Sequence, residues 1–94
     1  MKELDSEQLE KADDEKKVFT LIVNARKKEW HENHITFREV VVLAFKQYED
    51  NPQIEYTVAY SNGPRPSPQG SMVEGDKVKV DDRMNFNVTR TDKS

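Results

Sequence analysis

Apolar side chains crowd residues 18–23, Val-Phe-Thr-Leu-Ile-Val, a β-branched and aromatic run that predicts a first strand. Successive side chains of a strand point to opposite sides, so Phe19, Leu21 and Val23 share one face and Val18, Thr20 and Ile22 the other. Asn24-Ala25 stands where a two-residue hairpin turn belongs, and Asn tolerates the positive φ that such turns impose. Residues 26–30 return as a second strand, short and charged except for Trp30. That composition suits a sheet edge that must not pair with other chains.

The period then lengthens. Thr36 and Glu39 have the Thr-x-x-Glu spacing of a capping box, in which each side chain satisfies a free backbone N–H of the first helical turn. Ile35 before the cap and Val40 beyond it are placed for a hydrophobic staple. From there Phe37, Val40, Val41, Ala44 and Phe45 make one apolar stripe at helical spacing. Asn51-Pro52 cannot continue a helix, so the pattern predicts an end near residues 48–50.

Residues 54–60 alternate again, with Ile54, Tyr56, Val58 and Tyr60 on one face and Glu55, Thr57 and Ala59 on the other, a half-buried third strand. Residues 61–70 hold three of the four prolines and two of the three glycines, which predicts a loop. Met72-Val73 suits a short pairing segment, and Val78 and Val80 alternate with Lys77 and Lys79 as a fourth strand. Met84, Phe86 and Val88 alternate with Asn85, Asn87 and Thr89 as the last. A single amphipathic helix laid across one face of a four- or five-stranded mixed sheet is an α+β layer architecture. The second face, polar wherever it reads clearly, matches a sheet covered on one side only.

Charge divides the 94 residues. Residues 1–17 carry 4 Lys against 7 Asp/Glu and few apolar side chains, so they are expected to form an acidic, disordered leader. Residues 18–94 carry 11 Lys/Arg and 11 Asp/Glu, a neutral domain large enough for one core. Neutrality argues against nucleic acid, which favours a basic face with stacking aromatics. No apolar run approaches the roughly 20 residues of a membrane span, and no signal-peptide pattern opens the chain, so a cytoplasmic location is expected. Without cysteine there is no disulfide framework and no Cys-rich metal site.

Hairpin, helix, strand, strand, strand in under 80 residues is the β-grasp order of ubiquitin. Val23-Asn24-x-Arg26 and Ile35-Thr36-x-x-Glu39-Val40-Val41 resemble the prokaryotic multiubiquitin family. So do Ile54-Glu55-Tyr56-Thr57-Val58 and Phe86-Asn87-Val88-Thr89-x-Thr91-Asp92-Lys93-Ser94. Ala25 and Arg83 stand where turns of this kind favour glycine, and one copy of the domain is present in a family named for tandem copies.

The resemblance implies a bacterial ubiquitin-like protein modifier, itself not an enzyme and without a cofactor. Its implied partners are a ubiquitin-activating-like enzyme, a conjugating-like enzyme and a JAB-type metallopeptidase. Such a modifier presents a slender C-terminus, for which eukaryotic members use Gly-Gly. Here the expected conjugation tail is Arg90, Thr91, Asp92, Lys93 and Ser94, a flexible end over residues 90–94, and the nearest glycine upstream is Gly75. A sulfur carrier of the same fold would need a terminal glycine thiocarboxylate and is disfavoured. The remaining alternative is a β-grasp adaptor that is never conjugated.

Ubiquitin receptors dock on an apolar patch on the outer faces of the third and last strands. The matching positions are Thr57, Ala59, Asn87 and Thr89, a mostly polar surface for any partner. Other motifs read more simply as structure. His31-Glu32-x-His34 falls on a loop without further ligands for a metal, and Gly63-Pro64-Arg65-Pro66-Ser67-Pro68 reads as a stiffened turn rather than a polyproline ligand. Trp30 reads as a residue of the core or its edge, and no Ser/His/Asp arrangement has positional support.

Overall fold

A computed structural model describes residues 18–93, so the expected leader at 1–17 and Ser94 lie outside the described residues. Strands β1 (Phe19–Val23) and β2 (Arg26–Trp30) form the hairpin, in register from Phe19 opposite Trp30 to Val23 opposite Arg26. Asn24 and Ala25 make the turn at φ of 51° and 70°, the doubly left-handed geometry that matches the twist of paired strands. After β3 (His34–Thr36) comes the helix α1 (Phe37–Phe45), followed by β4 (Ile54–Ser61), β5 (Gly70–Met72), β6 (Lys77–Lys79) and β7 (Asn85–Asp92).

The main sheet has the order β2-β1-β7-β4-β5. The first and last strands lie side by side and parallel, with Ile22 opposite Asn85 and Val23 opposite Phe86. All other pairs are antiparallel, and α1 packs on one face against β1, β4 and β7. This is the β-grasp arrangement that the order of elements predicts.

The core forms where the apolar sides of these elements meet. Leu21, Val23, Val58 and Phe86 from the sheet and Val40 and Val41 from the helix are essentially inaccessible to water. Burying each such side chain stabilises the fold by roughly 1.5–3 kcal/mol. Ile35 and Val40, the two staple positions, are both fully buried.

The helix starts as its cap dictates. Glu39 N–H donates to Thr36 Oγ1 at 3.2 Å, and Thr36 N–H donates to Glu39 Oε1 at 2.9 Å. It ends earlier than expected, at Phe45 rather than near residues 48–50. Lys46 adopts φ 71° and its N–H donates to Val42 O at 2.7 Å, which closes the last turn and sends the chain outward. Tyr48 then leaves the helix to pack on Tyr56, with ring centroids 5.2 Å apart.

Two further expectations are corrected. β6 does not join the main sheet but pairs with β3 in a separate two-stranded sheet, with Ile35 opposite Val78. His34 consequently belongs to a strand rather than to the loop that holds His31 and Glu32. The short pairing segment is Gly70–Met72, one step earlier than Met72-Val73, because Met72 turns into the core beside Val58 while Val73 stays exposed.

Candidate functional site

The four expected surface positions come together. β4 and β7 run antiparallel over eight pairs, with Thr57 opposite Thr89 and Ala59 opposite Asn87. All four side chains are exposed, because their neighbours Tyr56, Val58, Phe86 and Val88 turn to the helix and bury there. Glu55 opposite Thr91 and Ser61 opposite Asn85 extend the same surface. The centre of the open face is thus two threonines and an asparagine around Ala59, with two hydroxyls and one amide among small methyl groups. The large exposed apolar residues Val18, Val42 and Val73 lie ahead of β1, on the helix and after β5.

The tail positions are placed differently from expectation. Arg90, Thr91 and Asp92 are the last residues of β7, paired opposite Tyr56, Glu55 and Ile54. Lys93 continues the ladder, its N–H donating to Gln53 O at 2.7 Å. The physical reason is register. Once Val88 is set opposite Val58, each following residue meets an available partner on β4 down to Ile54.

Sequence reasoning also missed what Arg90 touches. Its Nε and one terminal nitrogen donate to the two carboxylate oxygens of Glu49 at 2.7 and 3.0 Å, a two-pronged pair. Glu49 lies between α1 and β4, and its own N–H donates to Tyr56 Oη at 3.1 Å. Tyr56 is buried against Phe45 and Tyr48. The Arg90 guanidinium holds the Glu49 carboxyl below the usual carboxylate range, and Glu49 in turn raises Arg90. No periodicity signals such a pair, since both residues read as exposed and charged.

A second charged group sits on the helix. Arg38 donates to Glu74 Oε2 at 2.8 Å, and its guanidinium carbon lies 4.4 Å above the ring of Tyr48. Arg38 lowers the Glu74 carboxyl, while burial pushes the Tyr48 hydroxyl up. Trp30 is half-buried at the core edge and its indole N–H donates to His34 O at 2.9 Å. The proline-rich segment folds back on itself through Gly63 N–H to Pro68 O at 2.8 Å, the stiffened turn expected of it.

Among the described residues, no three His, Cys, Asp or Glu side chains converge as metal ligands. None of the described helices is long and apolar enough to cross a membrane.

The multiubiquitin family profile matches residues 19–92, from the first residue of β1 to the last of β7. The chain belongs to the multiubiquitin family. The match covers the whole sheet and helix, so the ubiquitin-like fold and the family agree throughout the described domain. Searches of curated proteins and of solved structures returned no match.

Proposed function

We propose that this multiubiquitin domain is a bacterial ubiquitin-like protein modifier, or the precursor of one, without catalytic activity of its own. Its partners on this reading are a ubiquitin-activating-like enzyme, a conjugating-like enzyme and a JAB-type metallopeptidase, in the cytoplasm where ATP is available. In the activating step a C-terminal carboxylate attacks the α-phosphate of ATP, giving an acyl adenylate and releasing pyrophosphate. An enzyme thiol then displaces AMP and forms a thioester.

The observation that carries the reading is the family match over residues 19–92, on a fold whose last strand ends at the sheet's rim. Apolar anchoring of that strand stops at Val88, so its final residues can leave the sheet without opening the core. The test is to incubate the chain with the activating-like enzyme of its own genome and ATP, and to look for adenylate or thioester by intact mass. An adduct is expected, and its absence from both intact and trimmed protein overturns the reading.

One observation favours a second reading, a β-grasp adaptor that is never conjugated. The pairing of β7 with β4 persists through Asp92, as suits an end that no enzyme takes up. Deleting residues 92–94 separates the two. A modifier loses charging while keeping its fold, whereas an adaptor keeps its binding.

A further inference from the structure

β7 divides into two halves that are held by different forces. Phe86 and Val88 are buried, but Thr89, Arg90, Thr91 and Asp92 are all exposed. Side-chain burial therefore fixes the strand only as far as Val88. Beyond it the strand is held by backbone hydrogen bonds to β4 and by polar contacts of exposed side chains at the rim of the sheet, where local opening has a low free-energy cost. Alternate pairs of an antiparallel ladder bond directly, and since Lys93 N–H bonds Gln53 O, the Thr91 amide two residues back also faces β4.

Arg90 sits in the middle of this weak half, and its contacts lead back to the core. Its two-pronged pair with Glu49 at 2.7 and 3.0 Å reaches across to the connection between α1 and β4. That connection is tied by Glu49 N–H to Tyr56 Oη, and the Tyr56 ring packs between Phe45 and Tyr48. A strand end without an apolar anchor thus gains an indirect one. On the open side, Lys93 Nζ lies 3.8 Å from Glu55 Oε1, a looser and more exposed contact.

We propose that residues 89–93 form a strand end that unzips from β4 as a unit, and that the Arg90–Glu49 clasp sets how often it does so. Closed, the segment is committed to the sheet and cannot thread a narrow active site. Open, it is an extended chain of about five residues, long enough at about 3.3 Å per residue to reach beyond the domain. Its use as a regulator of activation rests on the modifier reading, but its existence as a hinged end does not.

The test measures amide exchange on the full chain by NMR, reading Thr91 and Lys93 against Ile22, whose N–H is bonded to Met84 O inside the sheet. Glu49→Gln keeps the shape of the side chain but removes the charge. It is expected to speed exchange at Thr91 and Lys93 about two- to fivefold, the range for a partly exposed ion pair, and to leave Ile22 unchanged. The charge-swapped pair Glu49→Arg with Arg90→Glu is expected to restore slow exchange. Unchanged exchange at Thr91 and Lys93 in Glu49→Gln overturns the clasp, and so does an equal acceleration at Ile22, which would mean general destabilisation.

A second measurement separates the two readings. With the activating-like enzyme and ATP, Glu49→Gln is expected to be charged faster than the natural chain by the same factor as its exchange. Faster exchange with equal charging overturns the regulatory role. Faster exchange with no charging of any form leaves the hinged end standing and removes the modifier reading.

Discussion

The carboxamide of Asn24 makes both hydrogen bonds of a strand partner to the backbone of Val88, donating to its C=O at 3.0 Å and accepting from its N–H at 2.7 Å. β1 ends at Val23, one residue earlier, so this side chain prolongs the parallel pairing of β1 with β7 after the backbone has turned away. Asn24 N–H meanwhile donates to Phe86 O at 2.9 Å, and its φ of 51° starts the hairpin. One residue both turns the first hairpin and joins it to the last strand. Asn24→Ala is expected to cost about 2–3 kcal/mol, since two hydrogen bonds are lost and a Cβ is left in a left-handed conformation. Asn24→Gly removes the same bonds without that strain and should recover about 1 kcal/mol of the loss. Urea denaturation of the three proteins checks both values. Equal stability of Asn24→Ala and the natural chain would show that the Asn24–Val88 hydrogen bonds contribute nothing.

Ala25 at φ 70° and Lys46 at φ 71° hold side chains where glycine is favoured. The left-handed conformation costs an ordinary residue about 1–2 kcal/mol, and the extra freedom of an unfolded glycine offsets roughly half of that. Ala25→Gly and Lys46→Gly are each expected to stabilise the domain by about 0.5–1 kcal/mol, and to add, because one sits in the hairpin and the other after the helix. Thermal melts of the single and double variants read this directly. A lower melting temperature in either single variant contradicts it.

How much of this was legible in the sequence follows from what leaves a local pattern. The cap at Thr36, the core faces of β1 and β4 and the open positions Thr57, Ala59, Asn87 and Thr89 all follow from spacing, because one side of each element must be apolar. The pairing of β3 with β6 has no such signature, since a three-residue strand is too short to show a period. Nor does the extension of β7 to Asp92, where every side chain beyond Val88 is exposed and only the register with β4 sets the structure. The early end of the helix turns on Lys46, whose left-handed conformation nothing in its side chain announces. Arg90 and Glu49 meet only because two elements distant in the chain are brought to one rim.

Thr36 carries the start of a helix only nine residues long. Helices of that length are marginal by themselves, so the reciprocal bonds of Thr36 and Glu39 matter more here than in a long helix. Thr36→Ala is expected to cost about 1 kcal/mol, while Thr36→Ser, which keeps the accepting oxygen, should be close to neutral. Urea unfolding followed by far-ultraviolet circular dichroism distinguishes them. Equal losses in the two variants would place the contribution in packing rather than in the cap.

Acid should weaken the domain through two carboxyls. Glu49 is held below the ordinary 4.5 by Arg90, and Glu74 by Arg38. A carboxyl lowered in the folded state contributes stability above its unfolded value, and that contribution is lost as pH falls through the folded one. Stability from these pairs is therefore level above about pH 5 and declines below about pH 4.5. In a Glu49→Gln/Glu74→Gln double variant the acid decline should be shallower, with the two curves parallel at higher pH. Urea midpoints measured from about pH 3 to about pH 7 test this, and identical acid slopes would show that neither pair contributes.

The open sheet face predicts which readers this domain refuses. Binding hot spots are enriched in large side chains that fill desolvated pockets, and a face built from Thr57, Ala59, Asn87 and Thr89 supplies none. A receptor that grips the apolar patch of ubiquitin would have to bury hydroxyls and amides against its own apolar contact, leaving them without water or partners at about 1–3 kcal/mol each. Two or three such groups, at least about 2 kcal/mol together, reduce a micromolar complex by at least about 25-fold at about 1.4 kcal/mol per factor of ten. Titration calorimetry against a standard ubiquitin-binding domain is expected to show no heat of binding at micromolar concentration. The variant Thr57→Leu/Thr89→Val, which places apolar side chains opposite each other at the centre of the face, should raise the affinity. Micromolar binding by the natural chain refutes this prediction.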